Sequence, residues 1–464
     1  MNSKNLFANT PPIKLFFIAA LPGALSMLAS ALYGLLDGIF VGRILGETAF
    51  AALNLAFPFV VINFSLADLI GLGSAVPIAI NLGKKQEQEA NNIFTCACVM
   101  IVLTGALIGG ALYAAAPILI GMLGAEGDLA RMAVEYMRVY AICSPVTTIV
   151  FAMDNYLRIC SKIRRSLALN ILMAVIGAAL EFTFLFIFKW GIWGAALATC
   201  TGMLLCALLA LYPFLRNKLQ LRFCRPRFHL ALIRQIITCG SPNFLNNIAG
   251  RIMAIVMNAV LLSMGGEPAV SIYGILMYLG EIVQPVLYGV CDSLQPAVGY
   301  NWGARNFSRV KAIEKCCFAA GAVVSIGSAA IMLAFPAQLV SLFIQNLDSS
   351  FIGMAAGALQ LFSLTYITRW FSFATQSFMV AVDKPMPASI ISVSTALVFP
   401  IILIGVLWPL QLTGLWLNSS VTALLSGILA VAVMLRFKKE FKRLSTMETQ
   451  GAPDRFQGQQ TPNG

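Results

Sequence analysis

Twelve apolar runs follow one another along this chain, near residues 15–43, 52–82, 91–118, 129–157, 166–188, 192–215, 235–263, 269–301, 312–336, 354–382, 386–409 and 412–436. Short stretches rich in Gly, Pro and charge separate them. About 20 apolar residues carry a helix across a bilayer, so each run predicts one spanning helix. Together they take up most of the 464 residues. Only 11% of the residues are charged, against about 25% in soluble domains, and the mean hydropathy is +0.84. These figures exclude a water-soluble fold and leave no room for a soluble catalytic domain. The predicted fold class is all-α integral membrane, with twelve transmembrane helices. The first run imitates a signal peptide, with Lys4 and Lys14 ahead of Ala29-Ser30-Ala31. It is far longer than the 7–15 residues of a signal core and reads as the first spanning helix.

The net charge of +12 reports topology rather than a nucleic-acid partner. With a cytoplasmic N-terminus, 25 of the 31 basic residues fall in segments on the inner side, Arg158 among them. Arg43, Arg131 and Lys189 fall outside, and Arg138, Arg251 and Arg369 at membrane depth. The positive-inside rule therefore predicts a multi-pass protein with both termini cytoplasmic. The eleven cysteines sit mostly in apolar runs, without a Cys-x-x-Cys pair and with a single histidine, His229. They read as core residues, not as metal ligands or disulfides.

A basic connection near 216–234 bisects the chain and invites a search for a repeat. An ungapped shift of 220 superposes Pro22 on Pro242, Gly46-Glu47 on Gly266-Glu267, Ala49 on Ala269, Asn81 on Asn301, Gly83 on Gly303 and Gly194 on Gly414. The Gly-Glu-x-Ala and Asn-x-Gly pairs fall at matching helix ends. Two pseudo-symmetric six-helix bundles in parallel orientation follow, an N-terminal lobe over 1–220 and a C-terminal lobe over 221–436. A cytoplasmic tail over 437–464 would begin with a basic segment, Phe437 to Arg443, lying on anionic headgroups. Its Gln, Gly and Pro-rich end reads as disordered.

A carboxylate at bilayer depth costs about 2.5–3.5 kcal/mol on insertion scales, so each is a functional candidate. Those candidates are Asp37, Asp68, Glu181, Glu281 and Asp292. Counted from the predicted helix ends at 1.5 Å per residue, Asp37 and Glu181 both lie roughly 10 Å below the outer surface. Tyr136 and Thr199 fall at the same level. Two acids, a phenol and a hydroxyl in one layer suit a proton or a hard monovalent cation; hydrogen bonding between neighbouring helices is the plainer alternative. Glu126, Asp128, Glu135 and Asp348 read as a solvated outer rim. In the second half Arg251 and Glu281 share a depth and are expected to pair, and Glu281 or Asp292 is the expected partner of Arg369.

With these residues in hand, the chain resembles the multidrug and toxic compound extrusion (MATE) family, in its prokaryotic DinF-like and MepA-like branch. The most specific stretch is Gln295-Pro296-Ala297-Val298-Gly299-Tyr300-Asn301-Trp302-Gly303-Ala304-Arg305-Asn306. Asp37 to Gly42, Asn258, Gly191 to Thr199 and Leu412 to Trp416 are also similar. The resemblance implies two lobes around a V-shaped cavity and export of cationic, often aromatic drugs or toxins in exchange for H+ or Na+. It implies Asp37, Tyr136, Glu181 and Thr199 as the ion-coupling residues, with Asp37, Glu181 and Thr199 as metal ligands if the ion is Na+. Asp68, Asn258, Glu281, Asp292 and Arg369 are the candidates for the substrate cavity. Two departures stand out: Glu181 replaces the usual aspartate, and Gly177 stands where relatives often carry Asn, which favours H+.

No phosphate-binding Gly-x-x-x-x-Gly-Lys-Ser/Thr loop is present, so an ion gradient is the expected driving force, without a cofactor and without enzymatic activity. The expected setting is the plasma (inner) membrane of a prokaryote, with the lipid bilayer and small cationic molecules as partners and the chain acting as a monomer. The alternatives are a flippase for polyprenyl-linked sugars, which would need a basic cavity built from Arg251, Arg369 and Arg138, an integral-membrane transferase, and a channel.

Overall fold

The computed structural model describes residues 4–342 and 349–449. Asp348 and the Gln, Gly and Pro-rich end beyond 449 lie outside the described residues. The spans are α1 (Pro12–Leu45), α2 (Glu47–Gly83), α3 (Glu87–Met122), α4 (Gly127–Ile159), α5 (Ile163–Ile187) and α6 (Ile192–Leu215). One continuous stretch, Leu230–Gly303, supplies α7 and α8. They part at Gly266, whose φ of 65° and ψ of −161° break the helix just ahead of Pro268. A side chain would be strained at that φ, which is why glycine closes the outer turn here and, with φ 90°, at the equivalent Gly46. Then come α9 (Phe307–Ala334), α10 (Ser350–Ala381), α11 (Pro385–Val406) and α12 (Trp408–Phe441). Among the described residues twelve spans result, each overlapping an apolar run of the sequence.

The two lobes meet through glycines. A Cβ on Gly83 of α2 would collide with the Tyr300 carbonyl of α8, and one on Gly303 with the Ile80 carbonyl. Ile80 and Tyr300 stand 220 residues apart, as do Gly83 and Gly303, so the two contacts are the same contact made twice about a pseudo-twofold axis. The Asn-x-Gly pairs of the repeat thus mark the lobe seam. Gly73 and Gly240 bring α2 against α7, and Gly23 and Gly289 bring α1 against α8. All of these approaches lie towards the face that carries the chain termini.

Two further fastenings lie at that face. A π-helical segment, Lys4–Asn9, buries Leu6 and Phe7 and reaches the second lobe. There Asn301 Nδ2 and Arg309 Nε donate to the Phe7 carbonyl at 3.0 and 2.6 Å, and Arg309 also donates to the Thr10 carbonyl. The last helix does not stop at 436: it continues to Thr449, and Phe437 and Phe441 are buried beside Trp302. The start of the expected headgroup-bound tail is therefore a packed helix, because two of its phenylalanines find an apolar partner in α8.

Candidate functional site

The first lobe assembles its polar layer from four helices. The α-helical part of α1 ends at Phe40 and its last turn, Val41–Leu45, is π-helical; in α5 the same change follows Phe182, over Thr183–Ile187. Such wide turns admit an extra residue and re-aim the side chains next to them. Asp37 stands one turn before the first and Glu181 just before the second. Asp37 is 8% exposed and Glu181 fully buried, and their carboxyls lie directly against each other. Among the described residues no N–H or O–H reaches Asp37 Oδ1 or either oxygen of Glu181. Both groups are acceptors when ionised, and among the described residues no cationic side chain stands beside them. A bound proton that lets one carboxyl donate to the other, or a bound cation, is what makes such a pair tenable in low dielectric.

Tyr33, one turn before Asp37 on the same face of α1, completes the layer and was not singled out from the sequence. Its hydroxyl lies 2.7 Å from Thr199 Oγ1 on α6, and Thr199 Oγ1 in turn reaches the Ala195 carbonyl at 3.4 Å. The ring occupies the space over Gly177, where a Cβ would sit 2.8 Å from its Cε2, Cζ and hydroxyl. Gly177 also abuts Gly202 of α6. The missing side chain at 177 is thus not a hole: Tyr33 fills it. Tyr136 is buried with its hydroxyl 3.5 Å from Tyr140 on the next turn, behind the acids. Asp37, Glu181, Thr199 and Tyr136 therefore stand together, with Tyr33 between them.

A second polar cluster crosses the seam between the lobes. Arg158, assigned from sequence to the solvent-facing inner end of α4, is only 6% exposed. It pairs with Asp154 one turn earlier at 2.7 Å, and its other nitrogens donate to Ser166 on α5 at 3.1 Å and to Ser293 on α8 at 3.2 Å. Asp154 also accepts from Asn170 at 2.9 Å and from Ser166. Beside Ser293, Asp292 accepts from Gln295 at 2.9 Å and Ser377 at 2.8 Å. Asp68 of α2 lies within electrostatic reach of Asp154 and Asp292.

The MatE family model matches residues 22–183 and 242–405, more than half of the chain. This chain belongs to the MatE family. The two matched segments begin 220 residues apart, the offset at which the internal repeat superposes. Multidrug export protein MepA of Staphylococcus aureus (strain NCTC 8325 / PS 47) is 22% identical over 417 residues, covering 87% of this chain and 91% of MepA. A crystal structure of MATE in complex with MaL6 superposes with a TM-score of 0.89 at 20% identity, over 96% of this chain and 100% of that one. An outward-facing MATE transporter of the MOP superfamily gives 0.89 and 20%, over 96% and 99%. At these identities the solved structures establish the shared fold, twelve helices in two bundles.

Within this MatE fold the second lobe departs from the pairings expected of it. Arg251 and Glu281 are both exposed, and among the described residues neither forms an ion pair. Arg369 donates to Gln284 at 3.2 Å rather than to Glu281 or Asp292; Asp292 is already held by Gln295 and Ser377. Equal depth does not fix the azimuth of a side chain about its helix, and these residues point different ways. Asn258 lines a shallow outer cleft of about 420 Å³ with Glu267 and Ser271, away from the acids. Arg138, flagged for its depth, lays its guanidinium over the Tyr113 ring, 4.9 Å from the centroid, a cation–π contact that compensates its burial.

Proposed function

We propose that this MatE protein is a secondary transporter that exports amphiphilic, mostly cationic drugs or toxins in exchange for protons, working as a single chain in a prokaryotic plasma membrane with both termini cytoplasmic. The observation that carries the reading is the buried Asp37–Glu181 pair, three of whose oxygens have no protein donor. A pair of that kind takes up a cation from solution and releases it when its surroundings change. Protonation from the outer side neutralises the pair; release to the inner side restores repulsion between the two groups and drives the first lobe towards its other shape. The similarity to multidrug exporters such as MepA supports drugs as the cargo. The basic bias of the segments on the terminus side supports the orientation.

Protons are favoured over Na+ by the ligand count. A hard cation collects several oxygens, whereas here the Thr199 hydroxyl is engaged by Tyr33 and residue 177 offers no side chain. The test is efflux of a cationic dye from proteoliposomes under a pH gradient and, separately, a Na+ gradient. Wild-type efflux driven by pH alone is expected, falling at least tenfold in Asp37→Asn and in Glu181→Gln. Efflux driven only by Na+ overturns the proton assignment, and pH-driven efflux that survives both substitutions overturns the site.

A further inference from the structure

The terminus-side end of α1 carries a cleft that the transport reading does not use. Lys14, Phe17, Ile18 and Pro22 of α1 and Arg164 at the start of α5 line a space of about 590 Å³, within the range of small-molecule sites. It lies on the outside of the lobe. Gly23, which meets α8, sits on one face of α1, and the opposite face presents an exposed apolar stripe of Ile13, Phe17, Leu21, Leu25, Leu32 and Leu36 to the hydrocarbon. The two cations stand at one level, in the first turn of each helix, where a spanning helix passes the headgroups. Neither meets a carboxylate among the described residues, and both are exposed. Below them the cleft is lined by the apolar Phe17, Ile18 and Pro22.

We infer that this cleft binds an anionic phospholipid of the adjacent leaflet, its phosphate held between Lys14 and Arg164 and one acyl chain laid along Phe17, Ile18 and Pro22. The charge selects the occupant: a cationic transport substrate is repelled at the mouth, a free anion gains nothing from the apolar floor, and a zwitterionic lipid brings no net charge to two cations. Basic pockets between spanning helices recognise acidic headgroups on these terms. The lipid would lean on α1 at the proline, in the helix that carries Tyr33 and Asp37. That the leaflet is the cytoplasmic one rests on the orientation proposed above; the binding itself does not.

The test is native mass spectrometry of the full chain released from mixed micelles with equal phosphatidylglycerol and phosphatidylcholine of matched chains. Each basic residue at a membrane surface is worth about 1 kcal/mol, or roughly fivefold. Lys14→Gln and Arg164→Gln should each lower phosphatidylglycerol retention about fivefold, and the double variant should retain both lipids equally. Arg164→Lys should keep most of the preference, and Arg165→Gln, a neighbour outside the cleft, all of it. Equal retention of the two lipids by the wild type, or an unchanged preference in the double variant, overturns the proposal. So does displacement of the lipid by glycerophosphate, which makes the site one for phosphate alone, or by a cationic dye, which makes it part of the transport path. None of these outcomes decides whether a pH gradient drives dye efflux, so the two readings fail separately.

Discussion

Tyr33 and Gly177 behave as one unit. The ring takes the volume that a side chain at 177 would need, and its hydroxyl spends the Thr199 oxygen. Gly177→Asn alone should therefore drive an amide into the ring and cut pH-driven dye efflux at least tenfold. Pairing it with Tyr33→Ala, which vacates the space, should recover most of that loss, a non-additivity expected of residues in contact. Tyr33→Phe keeps the ring and loses one hydrogen bond, about 1 kcal/mol, visible as a small drop in thermal midpoint. The acids were legible in the sequence because helix rise is fixed, so counting from helix ends gave Asp37 and Glu181 a common height. Tyr33 was not, since an aromatic residue in an apolar run reads as packing; its spacing of four from Asp37 was the available signal. Asp154 was passed over for a similar reason. It lies four residues before Arg158, a spacing that pairs charges on a helix, but the arginine's nearness to the helix end made it look solvated.

The seam was legible where the repeat was. Gly83 and Gly303 were matched by offset alone, and each packs on the other's helix through a backbone carbonyl. Adding one methyl at such a contact forces backbone movement and costs about 1–3 kcal/mol. Gly303→Ala should lower the thermal midpoint of the purified protein, whereas Gly274→Ala in the same helix, where a Cβ meets nothing within 4 Å, should leave it unchanged or raised. The wide turns ending α1 and α5 were not legible: the first contains Gly42 and the second, Thr183–Ile187, contains neither glycine nor proline, so the two share no local sequence signal. The pairings of the second lobe were misread for the complementary reason, since depth along a helix was known but rotation about it was not.

Across the molecule, the terminus-side face is shut by unlike devices: the mirrored glycine contacts, the Phe7 segment on α8 and α9, and Arg158 reaching from its own Asp154 to Ser293 of the other lobe. Removing one member of a buried ion pair costs about 3–5 kcal/mol, and here part of that loss falls on the closed seam. Arg158→Gln should raise hydrogen–deuterium exchange through residues 289–303, and Ser293→Ala, which cuts only the bond between lobes, should do so more weakly while leaving α4 protected. Equal exchange in all three proteins would mean that Arg158 stabilises the first lobe alone.

The glycine contacts treat the two bundles as equals, and the carboxyls do not. At the offset that pairs Gly83 with Gly303, Asp37 falls on Met257 and Glu181 on Ile401, side chains that hold no proton. If protons couple at Asp37 and Glu181 as proposed, an engine with a symmetric bearing would take its fuel on one side: α1 and α5 would be the driven half, and the second bundle would answer through the bearing they share.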